Sequence, residues 1–329
     1  MTKPRIGFLG VGWIGRHRMA GMLATGAIEA VAIADTSPEM IAEALNLAPG
    51  AAVVPDLDAM LALGLDGIVI ATPSALHADQ SIAALGAGAA VFCQKPLGRD
   101  AAETARVVAA ARVADRLLSV DFSYRFTQGM EAIAQLVRGG DLGRVFAIDL
   151  TFHNAYGPDK PWFYDRAASG GGCVMDLGVH LVDLALWTLD FPAIDGAVAA
   201  QLYAGGQPLS ASSSEVEDYA TAAFTLVGGT AVRLACSWRL QAGREAVIEA
   251  AFYGTEGGAA LRNVGGSFYD FTAERFRGTA SETLASPPDA WGTRAAADWA
   301  RRLAQGERFD PAASNLVRVA EVLDAIYAR

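Results

Sequence analysis

The chain has 329 residues, of which 52% are hydrophobic and 19% charged, and a formal net charge of −10 at pH 7. That length suggests about two domains, and so much apolar material excludes a disordered chain. The acidic balance, without a Lys/Arg run, argues against nucleic acid or an anionic membrane surface as a partner. A dinucleotide is still admissible, because backbone N–H groups can hold its phosphates whatever the net charge.

Cys93, Cys173 and Cys236 are isolated and odd in number, and none has metal-type spacing. They predict neither a disulfide framework nor a metal site, and a reducing compartment. The N-terminus runs directly into a strand pattern without the apolar stretch of a signal peptide, and no apolar run reaches membrane-spanning length. A cytoplasmic protein is expected.

From Arg5 the chain alternates short apolar runs with helical patterns. Arg5–Leu9 is a predicted strand, followed by Gly10-Val11-Gly12-Trp13-Ile14-Gly15 and a helix over Ile14–Ala24. Glycines at those spacings allow a tight turn, close backbone approach to a pyrophosphate and close helix–strand packing. The free N–H groups of the helix start would favour the phosphates. The next strand, Ala30–Ala34, ends at Asp35, about twenty residues on, where a carboxylate can hydrogen-bond ribose hydroxyls. That favours NAD over NADP, with Arg16 as the residue that weighs the other way.

Helices are predicted at Pro38–Leu45 and Asp58–Leu63, around a short strand, Ala52–Val54. Gly67–Ala71 is a buried strand that ends in Thr72-Pro73-Ser74, where ligands of parallel sheets lie, so Thr72 and Ser74 are candidate ribose or diphosphate contacts. His77 either lines the nicotinamide side or simply begins the helix His77–Ala87. The strand Ala90–Gln94 leads to Lys95-Pro96. A lysine at that strand end can donate to a substrate oxygen and stabilise developing alkoxide charge. A helix over Ala101–Ala114 and a strand over Leu117–Asp121 complete a doubly wound α/β pattern, assigned to a dinucleotide-binding domain at 1–122.

The rhythm changes after Tyr124, and 123–329 reads as an α+β domain with an open, mainly antiparallel sheet. A helix, Gln128–Arg138, precedes a long strand, Arg144–His153. After a loop, the run Gly170-Gly171-Gly172-Cys173-Val174-Met175-Asp176-Leu177-Gly178-Val179-His180 opens another helix. Positions i and i+4 of a helix share a face, so Asp176 and His180 are expected to point the same way, with Asp183 and Trp187 continuing the stripe. A carboxylate beside an imidazole suits proton transfer near neutral pH. Strands follow at Gly196–Tyr203, Asp218–Leu226 and Thr230–Leu240, the last two joined by a hairpin at Val227-Gly228-Gly229. Ala246–Tyr253 and Gly258–Asn263 are a further antiparallel pair, and helices at Ala290–Gln305 and Ala312–Tyr327 close the chain.

Together these motifs resemble the glucose–fructose oxidoreductase/inositol dehydrogenase/rhizopine-catabolism (Gfo/Idh/MocA) family. The resemblance covers essentially the whole chain, through Gly10–Gly15, Thr72-Pro73 with His77, Lys95-Pro96, Tyr124-Arg125-Phe126 and the glycine-rich block with Asp176 and His180. It implies an NAD(P)-dependent oxidoreductase of sugars, polyols or their keto derivatives, with a Rossmann domain and a second domain whose sheet serves in oligomer contacts. A homodimer or homotetramer is the matching expectation.

The same resemblance implies that Lys95 orients the substrate, Asp176 holds a substrate hydroxyl, and His180 is the general acid/base. Trp13, Ile14, Pro73 and Gln94 join the expected cofactor contacts. Gln94 stands where the family usually has Glu, which removes a charge beside Lys95. Tyr124, Arg125, His153, Asn154, Trp162 and Arg166 are candidate substrate contacts, although Trp162 also fits a core anchor and His153 a satisfied strand histidine. Alternative functions are an NAD-using glycoside hydrolase on the same fold and a non-catalytic dinucleotide sensor.

Overall fold

The structure is a computed structural model that describes residues 2–210 and 213–328. The chain divides into two compact units, Met1–Ser123 with Gly292–Val317, and Tyr124–Trp291 with Arg318–Arg329.

The first unit alternates β1 (Arg5–Leu9), α1 (Trp13–Ala24), β2 (Glu29–Ala34), α2 (Pro38–Leu47), β3 (Ala52–Val53), α3 (Leu57–Leu61), β4 (Gly67–Ile70), α4 (Ser74–Gly86), β5 (Ala90–Cys93), α5 (Ala101–Ala114) and β6 (Leu118–Val120). Its six strands lie in the order β3-β2-β1-β4-β5-β6, and every neighbouring pair is parallel. The order reverses direction between β1 and β4, the place where doubly wound sheets receive ligands beyond the carboxyl ends of their strands. β4 and β5 are buried along their whole length, as uniformly apolar strands covered on both faces should be. Ser37, Asp56 and Asp100 cap α2, α3 and α5 by accepting from the backbone N–H three residues on, each contributing about 1 kcal/mol. The start of α1 has no such side-chain cap.

The second unit contains α6 (Gln128–Arg138), β7 (Val145–Asn154), α7 (Arg166–Ser169), a π-helical turn (Val174–Gly178), α8 (Val179–Thr188) and the strands β8 (Ile194–Ala204), β9 (Gln207–Pro208), β10 (Tyr219–Leu226), β11 (Thr230–Ser237), β12 (Ala246–Gly254), β13 (Gly258–Asn263), β14 (Phe271–Arg277) and β15 (Ala280–Ala285). Its nine-stranded sheet runs β15-β14-β13-β12-β7-β11-β10-β8-β9. The sheet is antiparallel except for the β7–β11 pair, which is parallel. The expected hairpin forms: Leu226 pairs with Thr230, and Gly228 and Gly229 take left-handed backbone angles between them. The β14–β15 hairpin, absent from the sequence expectations, extends the sheet at one edge.

Two further helices, α9 (Arg294–Ala304) and α10 (Asn315–Tyr327), close the chain. The span 123–329 is not one packing unit, because α9 belongs with the first sheet. Trp299 is fully buried and lies against Phe92 of β5, ring centroids 5.9 Å apart. Gly67 of β4 makes room for it: a Cβ there would lie 2.8 Å from the indole. A side chain of that size buries on the order of 150–250 Å² and fixes the helix to the sheet. Among the described residues, no helix is long and apolar enough to cross a membrane.

Candidate active site

The loop between β1 and α1 separates the tasks of its glycines. Gly10 has φ +83°, and a Cβ there would sit 2.5 Å from the Ala71 carbonyl oxygen. A Cβ on Gly15 would overlap the Gly10 carbonyl oxygen. These two are glycine so that the loop can pack on β4 and on itself. Gly12 differs: its φ is −57°, which any residue adopts, and nothing lies within 4 Å of a Cβ placed on it. Its missing side chain leaves open space at an uncapped helix start, the fit required for a phosphate held by backbone N–H groups. Trp13 is 61% exposed beside it and stacks on His17. Ile14 occupies the same first turn.

Asp35 follows β2 and is held from both sides. Val11 N–H donates to Oδ2 (2.7 Å) and Ser37 N–H to Oδ1 (2.9 Å). Each oxygen keeps a lone pair, so the carboxylate is pre-aligned and can still accept from a ribose hydroxyl.

Beyond β4, Thr72 donates its hydroxyl to Gln80 Oε1 (2.6 Å), Pro73 immediately precedes α4 without a side-chain cap and Ser74 is buried in its first turn. His77 is 1% exposed and bridges two strand ends: Nε2 faces the Thr72 carbonyl and Nδ1 the Pro96 carbonyl, both at 2.7 Å. Burial holds its pKa below 6.5, and the Lys95 charge works in the same direction against the two carbonyls. A neutral imidazole donates from one nitrogen only, so it hydrogen-bonds one of these two carbonyls at a time, that of the turn after β4 or that of the turn carrying Lys95.

Lys95 is half-buried at the end of β5, next to a cis Lys95–Pro96 peptide. Gln94 donates from Nε2 to Asp121 Oδ2 (2.7 Å), and Arg18 donates from Nε to the same oxygen (2.5 Å). All three side chains are buried. A Glu at position 94 would set a second carboxylate against Asp121, whereas the amide supplies the donor this carboxylate needs. Cys93, directly before it, is pushed up to about 12 by burial and stays a thiol.

In the second unit, Asp176 lies in the π-helical turn and His180 in the first turn of α8. The regular α-helical stack expected from their spacing therefore begins in a wider turn, a feature frequent at functional sites. Asp176 is partly exposed and accepts from the Trp238 indole at Oδ2, 3.0 Å away. His180 is 7% exposed, with its ring edge-on to Tyr124 at 4.9 Å. Tyr124 also meets Phe152, Phe271 and Trp291, which makes it an aromatic hub beside the imidazole.

Each glycine of the triplet answers a different constraint: Gly170 has φ +85°, and Gly171 and Gly172 face close neighbours. A Cβ on Gly172 would overlap the Glu217 carbonyl oxygen, and one on Gly171 the Tyr327 hydroxyl. Buried Glu217 accepts at Oε1 from Gly172 N–H and Val174 N–H (2.9 Å each) and from Tyr327 Oη (2.7 Å). Burial pushes its carboxyl above the ordinary 4.5 despite those donors. This clamp fixes the segment that leads to Asp176. Cys173 in it is buried, and its pKa is raised well above the ordinary thiol value.

The remaining candidates divide. His153 directs Nδ1 to Ser237 Oγ (2.8 Å) and stacks on Tyr219, with burial lowering its pKa. Trp162 is half-buried and stacks on Phe163 at 3.8 Å, while Phe163 and Tyr164 meet the Trp238 ring edge-on. Asn154 turns the chain by accepting from Tyr156 N–H (2.7 Å), and Arg166 donates to the Ser213 carbonyl (3.0 Å). Arg125 forms a bidentate ion pair with buried Asp183, which occupies that carboxylate, and its guanidinium also lies over the Trp187 ring. Sequence reasoning passed over Trp238, Glu217, Tyr327, Arg18 and Asp121. Only Asp121, at a strand end, carried a positional signal.

Two family profiles match the chain: an oxidoreductase family with an NAD-binding Rossmann fold over residues 4–122, and a GFO/IDH/MocA C-terminal domain over 130–260. D-glucoside 3-dehydrogenase of Escherichia coli (strain K12) is 25% identical over 268 residues, covering 78% of this chain and 76% of that protein. Inositol 2-dehydrogenase of Rhodococcus erythropolis is 34% identical over 189 residues, 56% of this chain and 53% of that enzyme, so the matched stretch spans about half of it. Among solved structures, GenD2 from gentamicin A biosynthesis in complex with NAD superposes with a TM-score of 0.83 at 24% identity, covering 100% of this chain and 94% of that one. Levoglucosan dehydrogenase in complex with NADH and levoglucosan gives 0.83 at 23% identity, covering 99% and 96%. At those identities the likeness establishes the fold alone.

Proposed function

Because the chain belongs to the Gfo/Idh/MocA oxidoreductase family, with its NAD-binding Rossmann fold, we propose that it is an NAD-dependent dehydrogenase or reductase of a sugar, inositol or related polyhydroxy compound. The observation that carries this reading is the glycine loop. Two of its glycines are closed by backbone and the third, Gly12, opens onto space, with Asp35 held ready beside it. The curated relatives named above, a glucoside dehydrogenase and an inositol dehydrogenase, support the substrate class.

Gly10, Gly12, Gly15 and the first-turn N–H groups of α1 would hold the diphosphate, and Asp35 the adenosine ribose. When bound, the nicotinamide supplies the hydride-transfer chemistry. The chain's own residues do the rest. Lys95 donates to the substrate oxygen and stabilises negative charge as it develops there. Asp176, fixed by Trp238, accepts from a neighbouring substrate hydroxyl. His180 takes the hydroxyl proton during oxidation and returns it during reduction. Aromatic faces at Trp162 and Phe163 suit the C–H surfaces of a sugar ring. Assembly into a homodimer or homotetramer through the nine-stranded sheet goes with this reading.

A panel of sugars and polyols incubated with NAD and, separately, NADP tests the proposal by absorbance of the reduced cofactor. Net reduction with at least one polyol is the expected result. Glycoside cleavage without net reduction, or binding without any turnover, would overturn it in favour of a hydrolase or a sensor.

A further inference from the structure

Asp35 is not the only charged group at the ribose end of the glycine loop. The backbone of Val11 is held on its two sides by side chains of opposite sign: its N–H donates to Asp35 Oδ2 (2.7 Å), and its carbonyl accepts from Arg16 Nη1 (3.0 Å). The guanidinium is thus tethered one residue's span from the carboxylate that would take the ribose hydroxyls. A cation there is what a 2′-phosphate needs. Arg16 is occupied elsewhere, however. Its other terminal nitrogen is ion-paired with Glu43 on α2, and its guanidinium packs on the Met40 sulfur one turn earlier. The Arg16 side chain is 18% exposed and the Glu43 side chain 45%.

We propose that Glu43 is a specificity-determining residue, which favours NAD by turning Arg16 toward α2 and neutralising it. This rests on the cofactor assignment above and deepens it. Asp35 repels a 2′-phosphate directly, and Glu43 draws away a guanidinium that touches the same residue, Val11, and could compensate. NAD, with a free 2′-hydroxyl, is indifferent to Arg16. The selectivity of this chain is therefore set by two carboxylates, one of which never touches the cofactor.

Binding of NADH and NADPH to Glu43→Gln, followed by fluorescence titration at low ionic strength, tests this without reference to turnover. Removing one partner of a part-exposed ion pair is expected to tighten NADPH about fivefold, close to the upper limit for such pairs. NADH affinity should stay within about twofold, which also shows that the variant is folded. The gain should vanish in the double variant Arg16→Ala/Glu43→Gln. Glu39→Gln, which deletes an exposed charge one turn earlier on α2, should give a smaller gain. Unchanged NADPH affinity in Glu43→Gln, an equal gain in Glu39→Gln, or a gain that survives removal of Arg16 would each overturn the proposal. Failure of the wild-type protein to bind either nicotinamide would instead overturn the cofactor assignment.

Discussion

Trp238 donates its indole N–H to the Asp176 carboxylate, Nε1 to Oδ2 at 3.0 Å, from a position 62 residues later in the chain. The indole is itself immobilised: it is 3% exposed at the end of β11 and lies edge-on to Phe163 and Tyr164. A carboxylate proposed to present one oxygen to a substrate hydroxyl gains from having the other fixed. Hydrogen bonds to charged groups contribute about 1.5–3 kcal/mol. Trp238→Phe keeps the aromatic contacts and deletes the donor. We expect kcat/KM to fall roughly ten- to a hundredfold with NADH affinity unchanged. Wild-type kcat/KM in this variant, alongside a strong defect in Asp176→Asn, would show that the indole does not position the acid.

The glycines of the first loop make a separable pair of predictions. Gly12→Ala meets no atom within 4 Å and requires no unusual backbone angle. Its melting temperature should match wild type while NADH affinity drops about tenfold or more, as a methyl group intrudes on the phosphate path. Gly10→Ala meets the Ala71 carbonyl at a positive φ and should cost about 1–3 kcal/mol of stability whether or not cofactor is present. Thermal melts and NADH titrations of the two proteins distinguish these outcomes; unchanged affinity in Gly12→Ala would count against phosphate binding there.

Asp35→Ala removes the acceptor proposed for the ribose and the anion proposed to repel a 2′-phosphate. NADH affinity should weaken by about tenfold, the equivalent of one charge-assisted hydrogen bond, and the ratio of NADH to NADPH affinity should move toward one. Some of the loss will come from Val11 and Ser37, whose N–H groups lose their acceptor. An unchanged ratio would remove Asp35 from the ribose.

Glu217 gives a pH signature. Its pKa is raised by burial, so the folded protein holds this proton more tightly than the unfolded chain does. A carboxyl of that kind contributes its full stability below about pH 4.5. The contribution declines as pH rises from there through the raised folded value. Glu217→Gln has no proton to lose. Its stability relative to wild type should therefore improve steadily above that pH in urea unfolding. A difference that stays constant with pH would contradict a buried titrating carboxyl at this position.

What the sequence made legible was local. The order of strand, glycine turn, helix and acid within residues 5–35 is short-range, and the first sheet follows from apolar runs too uniform for a half-exposed strand. The spacing of Asp176 and His180 gave the right segment but missed its π turn, because a one-residue widening of a helix leaves the hydrophobic pattern nearly intact. The clamp on the glycine triplet was invisible for a different reason. Tyr327 reaches Glu217 across 110 residues of sequence, and Glu217 reaches Gly172 across 45. No periodicity records contacts of that range. The same holds for α9, whose Trp299 fills space left by Gly67 on a strand more than two hundred residues earlier. The β14–β15 hairpin escaped because Phe271–Arg277 and Ala280–Ala285 mix charged and exposed positions and lack a clean alternation.

The most direct test of the assignment is turnover in Lys95→Ala and His180→Ala, measured with the polyol that the wild-type protein oxidises and accompanied by NADH titration of each variant. Loss of the proposed general acid/base, or of the proposed donor to the substrate oxygen, should lower kcat by about 10²–10⁴ while NADH affinity stays within about twofold. Near wild-type turnover in either variant would contradict the roles assigned to these two side chains.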